Sequence, residues 1–217
     1  MKIKIAGADP GAYAWTFVKH VESHVAISYN KDASDIFFNA YQKLQESEIL
    51  GACTAGVVCI HDDLLLTSAI VGDCGFRVIR KGSVEYKSEP QQAGFNQPYQ
   101  FCNLPGIMTH APKDAMIKDL KLQIDDKVVI ASDGLFDNIY DTTMIEILNE
   151  STDSNKAAVN LVSRAKQNAE DRTCVTPWSD AYNEHSKDKN KHKLGGKKDD
   201  IVCTVVTVES TMCEIYR

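Results

Sequence analysis

Apolar residues recur at two different spacings along the chain, and the spacing changes three times. Apolar positions three and four residues apart are typical of a helix with one buried face. Four segments show this spacing: 13–28, 32–47, 141–150 and 155–172. Asp9 and Pro10 predict the start of the first helix, as its cap and first-turn residues. The last two helices have candidate caps at their starts: Asp141 or Thr142, and Ser154 or Asn155.

The remaining apolar segments have the character of strands. Short continuous or alternating apolar runs predict strands over 54–61, 64–72, 75–89, 118–124, 126–132 and 201–209. Two connections are predicted to be tight hairpin turns, at Asp62-Asp63 and at Lys81-Gly82. The last run, IVCTVVTVE, is apolar on both faces, which predicts a central position in a sheet. This order of elements predicts an α+β fold in a single domain, 1–217, with helices packed on antiparallel sheets.

Composition and charge narrow the possible function classes. The chain of 217 residues has a formal net charge of −6, which argues against a nucleic-acid-binding surface because such surfaces are basic. No apolar run approaches the roughly 20 residues of a transmembrane helix, so we expect no membrane span. Seven cysteines occur without a CxxC pair, several of them inside apolar runs. This pattern favours free thiols in a reducing compartment.

A lysine-rich stretch precedes the last strand. Residues 183–200 have no apolar periodicity, which predicts a flexible surface loop over about 183–198. This loop could cover a substrate or could simply be solvated, and runs of charge more often face water.

Aspartates adjoin strands at three distant places in the chain. They lie in VGDCGF (71–76), ASDGLFDN (131–138) and GKKDDIVCTVV (196–206). Each stretch alone is compatible with a turn, since Asp binds local backbone groups and Gly permits positive φ. Three together favour a cluster of carboxylates, which repel one another unless divalent cations neutralise them or some of the acids stay protonated. Oxygen ligands suit hard divalent ions such as Mg²⁺ and Mn²⁺.

These stretches resemble the motifs of the metal-dependent protein serine/threonine phosphatases of type 2C. GDCGFRVIRKG is similar to the family's glycine–aspartate strand turn, VVIASDGLFDN to its SDG-hydrophobic-hydrophobic-D motif, and KKDDIVCTVV to its terminal aspartate-plus-strand motif. LGACTAGVVCI and SEPQQAGFNQPYQF resemble one branch, the mitochondrial type 2C phosphatases. The resemblance covers nearly the whole chain and implies two stacked antiparallel sheets with helices outside.

The resemblance also implies a chemistry and a set of residues. A hydroxide held by two divalent ions, Mg²⁺ or Mn²⁺, would attack phosphoserine or phosphothreonine in line, without a phosphoenzyme. Asp133 and Asp199 match ligands of the first ion. Asp73 and Asp137, together with Asp133, match a third and weaker ion position found in some members. Asp200 stands where many members have Asn, and it is expected to support the ligands or the fold.

The start of the chain leaves two alternatives open. The family normally carries an N-terminal strand with an acidic pair, then an alanine–aspartate–glycine turn whose aspartate bridges the two ions. Asp9 either caps the first helix beyond that turn or is the bridging aspartate of an altered turn, with Pro10 in place of Gly. In the first alternative the chain lacks the bridging ligand. It would then be an N-terminally incomplete piece of an active phosphatase, or a catalytically impaired pseudophosphatase that acts as a binding module.

Partners and location follow from the same resemblance. It implies a phosphoprotein substrate, and we expect no nucleic acid, no membrane span and a monomeric chain. The branch that the chain resembles suggests mitochondria, but an intracellular location in the cytoplasm is equally compatible with the sequence.

Overall fold

The structure is a computed structural model that describes residues 7–27, 31–186, 188 and 192–210. Within these residues lie six α-helices: α1 (Pro10–Ile27), α2 (Ala33–Gln45), α3 (Asp133–Phe136), α4 (Asp141–Glu150), α5 (Ser154–Glu170) and α6 (Pro177–His185). The same residues form eleven strands: β1 (Ala52–Cys53), β2 (Ala55–Ile60), β3 (Leu65–Val71), β4 (Gly75–Arg80), β5 (Ser83–Lys87), β6 (Gln92–Gly94), β7 (Gln97–Pro98), β8 (Phe101–Cys102), β9 (Met116–Lys121), β10 (Lys127–Ala131) and β11 (Cys203–Thr207).

The helices and strands belong to two compact units, which are described separately. The first unit contains the described residues up to Cys74 together with Glu89–Lys121. The second contains Gly75–Ser88 and the described residues from Leu122 onward.

The first unit is a three-stranded antiparallel sheet covered by two helices. Its strand order is β2-β3-β9, and α2 packs on β2 and β3 while α1 packs on α2. Three aromatic rings form the centre of its core, with Phe17, Phe37 and Phe101 at ring-centroid distances of 5.4 to 5.9 Å from one another. Two small two-stranded sheets, β1-β8 and β6-β7, complete the described part of this unit.

The second unit is a four-stranded antiparallel sheet with its own helices and core. Its strand order is β11-β10-β4-β5, and α5 packs on β11. The core includes Val129, Leu135, Met144 and Leu161, all fully buried. The β4–β5 hairpin turns through Lys81 and Gly82, whose φ values of 50° and 75° fit a type I′ turn.

Most of the predicted elements are confirmed. The α+β class, with antiparallel sheets flanked by helices, is correct, and both predicted hairpins form. The predicted first helix ends at residue 28, which lies outside the described residues. The strand predicted over 118–124 begins two residues earlier, at Met116, and ends at Lys121.

Two predictions are wrong in informative ways. The strand predicted to be central, β11, lies at the edge of its four-stranded sheet as far as the structure describes it. The sequence of β11 is apolar because one face of the strand packs on α5. Val202, just before the strand, is 65% exposed. Residues 183–185, predicted as loop, end α6, which begins at a Thr176 cap where Pro177 supplies the first turn.

The caps of α4 and α5 lie earlier in the chain than predicted. Tyr140 precedes α4 and makes no side-chain capping bond, so neither Asp141 nor Thr142 is the cap. Asp153 caps α5 in place of Ser154 or Asn155, because its Oδ1 accepts a hydrogen bond from the N–H of Lys156 at 2.8 Å.

The cysteines of the described residues are all free, as expected, while Cys213 lies outside those residues. Burial raises the pKa of the Cys53 thiol to about 12 and that of Cys203 to about 11. These thiols therefore stay protonated at neutral pH and are poor nucleophiles. None of the described helices has the length and apolar character that crossing a bilayer requires.

Candidate metal centre

The first half of the candidate site is the turn that follows β10. Asp133 starts the four-residue helix α3 directly after the strand, and the N–H of Asp137 donates to the Asp133 carbonyl at 2.7 Å. This single turn of helix places the two carboxylates on the same side. Leu135 lies between these two aspartates in the sequence. Its side chain is fully buried and anchors the turn in the core of the second unit.

The second half is the segment that leads into β11, which passes very close to this turn. The Ser132 hydroxyl donates to the Asp200 carbonyl at 2.9 Å and accepts from the N–H of Val202 at 3.1 Å. A Cβ on Gly134 would lie 2.4 Å from the Asp200 carbonyl oxygen, so only glycine permits this approach. The SDG sequence thus keeps Asp133 beside the aspartates of the last motif.

Asn138 fixes the two halves to each other. Its side chain is fully buried, and its Nδ2 donates to the carbonyls of Gly134 and Lys197, both at 2.9 Å. Its Oδ1 accepts a hydrogen bond from the N–H of Lys197 at 3.0 Å. Gly196 passes so close that a Cβ there would lie 2.4 Å from Asn138 Oδ1. The backbone of Lys197 is therefore held in one position.

Three carboxylates converge on the side chain of Lys197. Its Nζ lies 2.5 Å from Asp133 Oδ2, 2.8 Å from Asp137 Oδ2 and 3.0 Å from Asp199 Oδ2. The lysine side chain is only 14% exposed. The cluster thus brings together three of the four principal metal ligands predicted from the sequence, around one cationic group.

The charges of this cluster shift the protonation of its members. Burial raises the pKa of Asp137, and the neighbouring carboxylates of Asp133 and Asp199 add to this effect. The Lys197 ammonium opposes the shift without cancelling it. Burial disfavours the charged form of Lys197, but the carboxylates of Asp137 and Asp133 outweigh this cost and raise the pKa of its ammonium. The ammonium therefore stays charged at neutral pH.

The fourth principal candidate, Asp73, belongs to the first unit. It follows β3 at Gly72, whose φ of 112° requires glycine, and its side chain is largely buried. Asp73 Oδ2 lies 3.5 Å from the side-chain amide nitrogen of Gln92, and the preceding residue, Gln91, accepts a hydrogen bond at its Oε1 from the N–H of Gly72 at 3.0 Å. The QQAGFNQPYQF segment therefore supports the Asp73 turn.

Asp9 and Asp200, the two remaining candidate ligands, form hydrogen bonds with residues close to them in the chain. Asp9 Oδ1 accepts a hydrogen bond from the N–H of Ala12 at 2.9 Å, which is the contact of a residue that caps a helix. This geometry agrees with the first of the two alternatives for the start of the chain. Asp200 is exposed, and its backbone N–H donates to Asp199 Oδ1 at 3.0 Å. Asp200 thus orients a neighbouring carboxylate through its backbone.

The ligand chemistry of the cluster fits a divalent cation. Carboxylate oxygens are the ligands that Mg²⁺ and Mn²⁺ prefer. No three His, Cys, Asp or Glu side chains of the described residues stand close enough to hold an ion on their own. Asp133, Asp137 and Asp199 are instead spaced around the lysine ammonium, so an ion can bind among them only if this spacing changes.

Sequence reasoning missed the two residues that organise this cluster, Lys197 and Asn138. Lys197 was included in the lysine-rich loop, but its two preceding glycines, Gly195 and Gly196, are a signal of close backbone packing. Gly195 has a φ of 93°, and its N–H donates to the Cys174 carbonyl at 2.7 Å. Lys197 directly follows this closely packed segment and is therefore not a solvated surface residue.

Comparisons with known proteins identify relatives over most of the chain. The chain is 33% identical over 170 residues to a probable protein phosphatase 2C 1 of Oryza sativa subsp. japonica, covering 75% of this chain and 51% of that protein. It is 30% identical over 220 residues to the protein phosphatase PTC7 homolog fig of Drosophila grimshawi, covering 94% and 70%. The chain thus spans about half the length of the first relative. No family model matches the chain.

Solved structures agree with these relatives. The X-ray structure of the photosystem II phosphatase PBCP superposes with a TM-score of 0.85 at 28% identity, over 93% of this chain and 81% of that one. The catalytic domain of the serine/threonine phosphatase PstP, in complex with two manganese ions, has a TM-score of 0.55 at 15% identity. It covers 72% of this chain and 75% of that one, and this likeness shows the fold alone.

Proposed function

Because the chain belongs to the type 2C family of metal-dependent protein phosphatases, we propose that it hydrolyses phosphoserine and phosphothreonine in protein substrates. The cofactor of this family is Mg²⁺ or Mn²⁺. The relatives reported above are all named as phosphatases, and none of them favours a binding module without activity.

The observation that carries the proposal is the convergence of Asp133, Asp137 and Asp199 on one cation. Carboxylates in this number repel one another, and a positive charge among them relieves that repulsion. They come from two segments 60 residues apart in the chain, which the buried Asn138 fixes to each other. Local turn chemistry explains none of these long-range contacts, because each aspartate could form its turn without them.

We assign roles to the candidate ligands on this basis. Asp133 and Asp199 would hold the first ion, and Asp73 and Asp137 are each proposed as ligands of lower affinity. Asp9 and Asp200 act through the backbone contacts described above. When bound, the divalent ions supply an activated water and neutralise charge on the phosphoryl group. The chain's own part is to hold the carboxylates in place, through Gly134 and Asn138.

We further propose that the two units form one phosphatase domain over 1–217, which acts as a monomer inside the cell. The free cysteines support a reducing compartment. Size-exclusion chromatography with light scattering tests the monomer, since a dimer would have twice the mass of 24.0 kDa.

Manganese-dependent hydrolysis of p-nitrophenyl phosphate by the purified chain tests the activity. The wild type should show turnover that rises with Mn²⁺ and disappears with a chelator. Asp133→Asn should abolish it, whereas the matched change Asp62→Asn, at an exposed turn residue, should leave it unchanged. Wild-type turnover no higher than that of Asp133→Asn would remove the case for this chain as an enzyme. Binding of a phosphopeptide without turnover would then favour the pseudophosphatase.

A further inference from the structure

The ammonium of Lys197 contacts all three carboxylates. It donates hydrogen bonds to Asp133 Oδ2 at 2.5 Å and to Asp137 Oδ2 at 2.8 Å, and it forms an ion pair with Asp199 Oδ2 at 3.0 Å. The neighbouring Lys198 is exposed, so the two adjacent lysines differ sharply in their surroundings. Only the first of them has its charge inside the carboxylate cluster.

Contacts with the backbone of Lys197 and of the residue before it fix the point from which the lysine side chain extends. Asn138 binds both the N–H and the carbonyl of Lys197, and Gly196 packs so closely that a Cβ there would lie 2.4 Å from Asn138 Oδ1. Because the fixed backbone tethers it beside the three carboxylates, the ammonium reaches them at a high effective concentration. The lysine therefore competes well with an ion from solution.

The balance of charge then limits how many ions the cluster can take. Three carboxylates carry three negative charges, and the ammonium cancels one of them. One divalent ion neutralises the remainder. A second divalent ion would leave an excess of positive charge within a few ångströms of Lys197, which repels it strongly in a partly buried site.

We propose that Lys197 is a built-in cation that occupies one ion position beside Asp137, so that the cluster of Asp133, Asp137 and Asp199 binds one divalent ion, at Asp133 and Asp199, and not two. This inference rests on the proposed metal-dependent function, because it concerns the same cluster. It adds that the number of bound ions is determined by a lysine of the chain itself.

The test is the stoichiometry of Mn²⁺ binding, measured by isothermal titration calorimetry and by electron paramagnetic resonance of free Mn²⁺. Lys197→Met should bind one more Mn²⁺ per chain than the wild type. The matched variant Lys198→Met, at the adjacent exposed lysine, should bind the same number as the wild type. Equal stoichiometry of Lys197→Met and wild type would overturn the inference.

A second variant covers the case in which Lys197→Met does not fold because its carboxylates repel one another. The double variant Lys197→Met with Asp137→Asn removes one charge of each sign, so the cluster keeps its net charge. If Lys197 and Asp137 neutralise each other, the Mn²⁺ dissociation constant of the double variant should stay within about threefold of the wild type. Binding weakened by about tenfold or more would show that the ion uses Asp137, and it would overturn the inference.

The outcomes separate this inference from the proposed function. If neither the wild type nor any variant binds Mn²⁺ at millimolar concentration, the metal centre itself is refuted, and the inference fails with it. If the wild type and Lys197→Met bind Mn²⁺ with equal stoichiometry, only the role of Lys197 is refuted.

Discussion

Replacement of Asn138 by alanine should destabilise the protein more than any exposed polar replacement. The change removes three buried hydrogen bonds, two from Nδ2 at 2.9 Å and one to Oδ1 at 3.0 Å. Each is worth about 1 kcal/mol net, and the N–H and carbonyl of Lys197 lose their partners. We therefore expect the free energy of unfolding to fall by about 2–4 kcal/mol.

Urea denaturation measures this change. The transition midpoint should move to lower urea while the slope of the transition stays unchanged, as for a loss of stability without a change in the unfolded state. Asn160→Ala is the matched control, because Asn160 is exposed and donates only to the Ser151 hydroxyl at 3.3 Å. The control should change stability by less than about 0.5 kcal/mol. A loss below about 1 kcal/mol for Asn138→Ala would refute the view that Asn138 fixes the two segments.

Two further variants test the packing and the electrostatics of the second unit. Gly134→Ala places a Cβ 2.4 Å from the Asp200 carbonyl oxygen, so we expect a loss of about 1–3 kcal/mol in urea unfolding and weaker Mn²⁺ binding; wild-type stability would contradict the close approach. Burial raises the pKa of Asp126, but hydrogen bonds from Arg80 and from the N–H of Gln123 outweigh it, so the folded-state pKa is lowered. The stability that Asp126 contributes is therefore present above its unfolded pKa of about 4 and is lost as pH falls through the lower folded value. Asp126→Asn should lose less stability than the wild type between about pH 5 and pH 2.5 in acid unfolding, and equal losses would refute this role.

The parts of the fold that could be predicted are those with a strong local pattern. The spacing of apolar residues in α1 and α2, and the turn residues of the β2–β3 and β4–β5 hairpins, are properties of a few consecutive residues. Helix α6 was missed because its short sequence PWSDAYNEH lies beside a polar stretch, and its cap is a capping box at Thr176 and Ser179. The edge position of β11 could not be predicted, since an apolar strand is buried equally well by a helix as by neighbouring strands.

The candidate site was predictable only in its carboxylates. Asp133, Asp137 and Asp199 lie in short sequence motifs. Their turns need a glycine and an apolar residue that anchors the turn, all within a few consecutive residues. Lys197 and Asn138 act through contacts with residues 59 to 64 positions away, and no local pattern records those contacts. The lysine was therefore counted with its solvated neighbours, although its side chain is 14% exposed.

The most direct test of the metal centre is a crystal structure of the chain soaked in Mn²⁺, with anomalous diffraction data. We predict an anomalous peak within about 2.0–2.6 Å of carboxylate oxygens of Asp133 and Asp199, with the Lys197 ammonium still against Asp137. A structure without a peak at Asp133, in which Lys197 contacts all three carboxylates at millimolar Mn²⁺, would contradict the account.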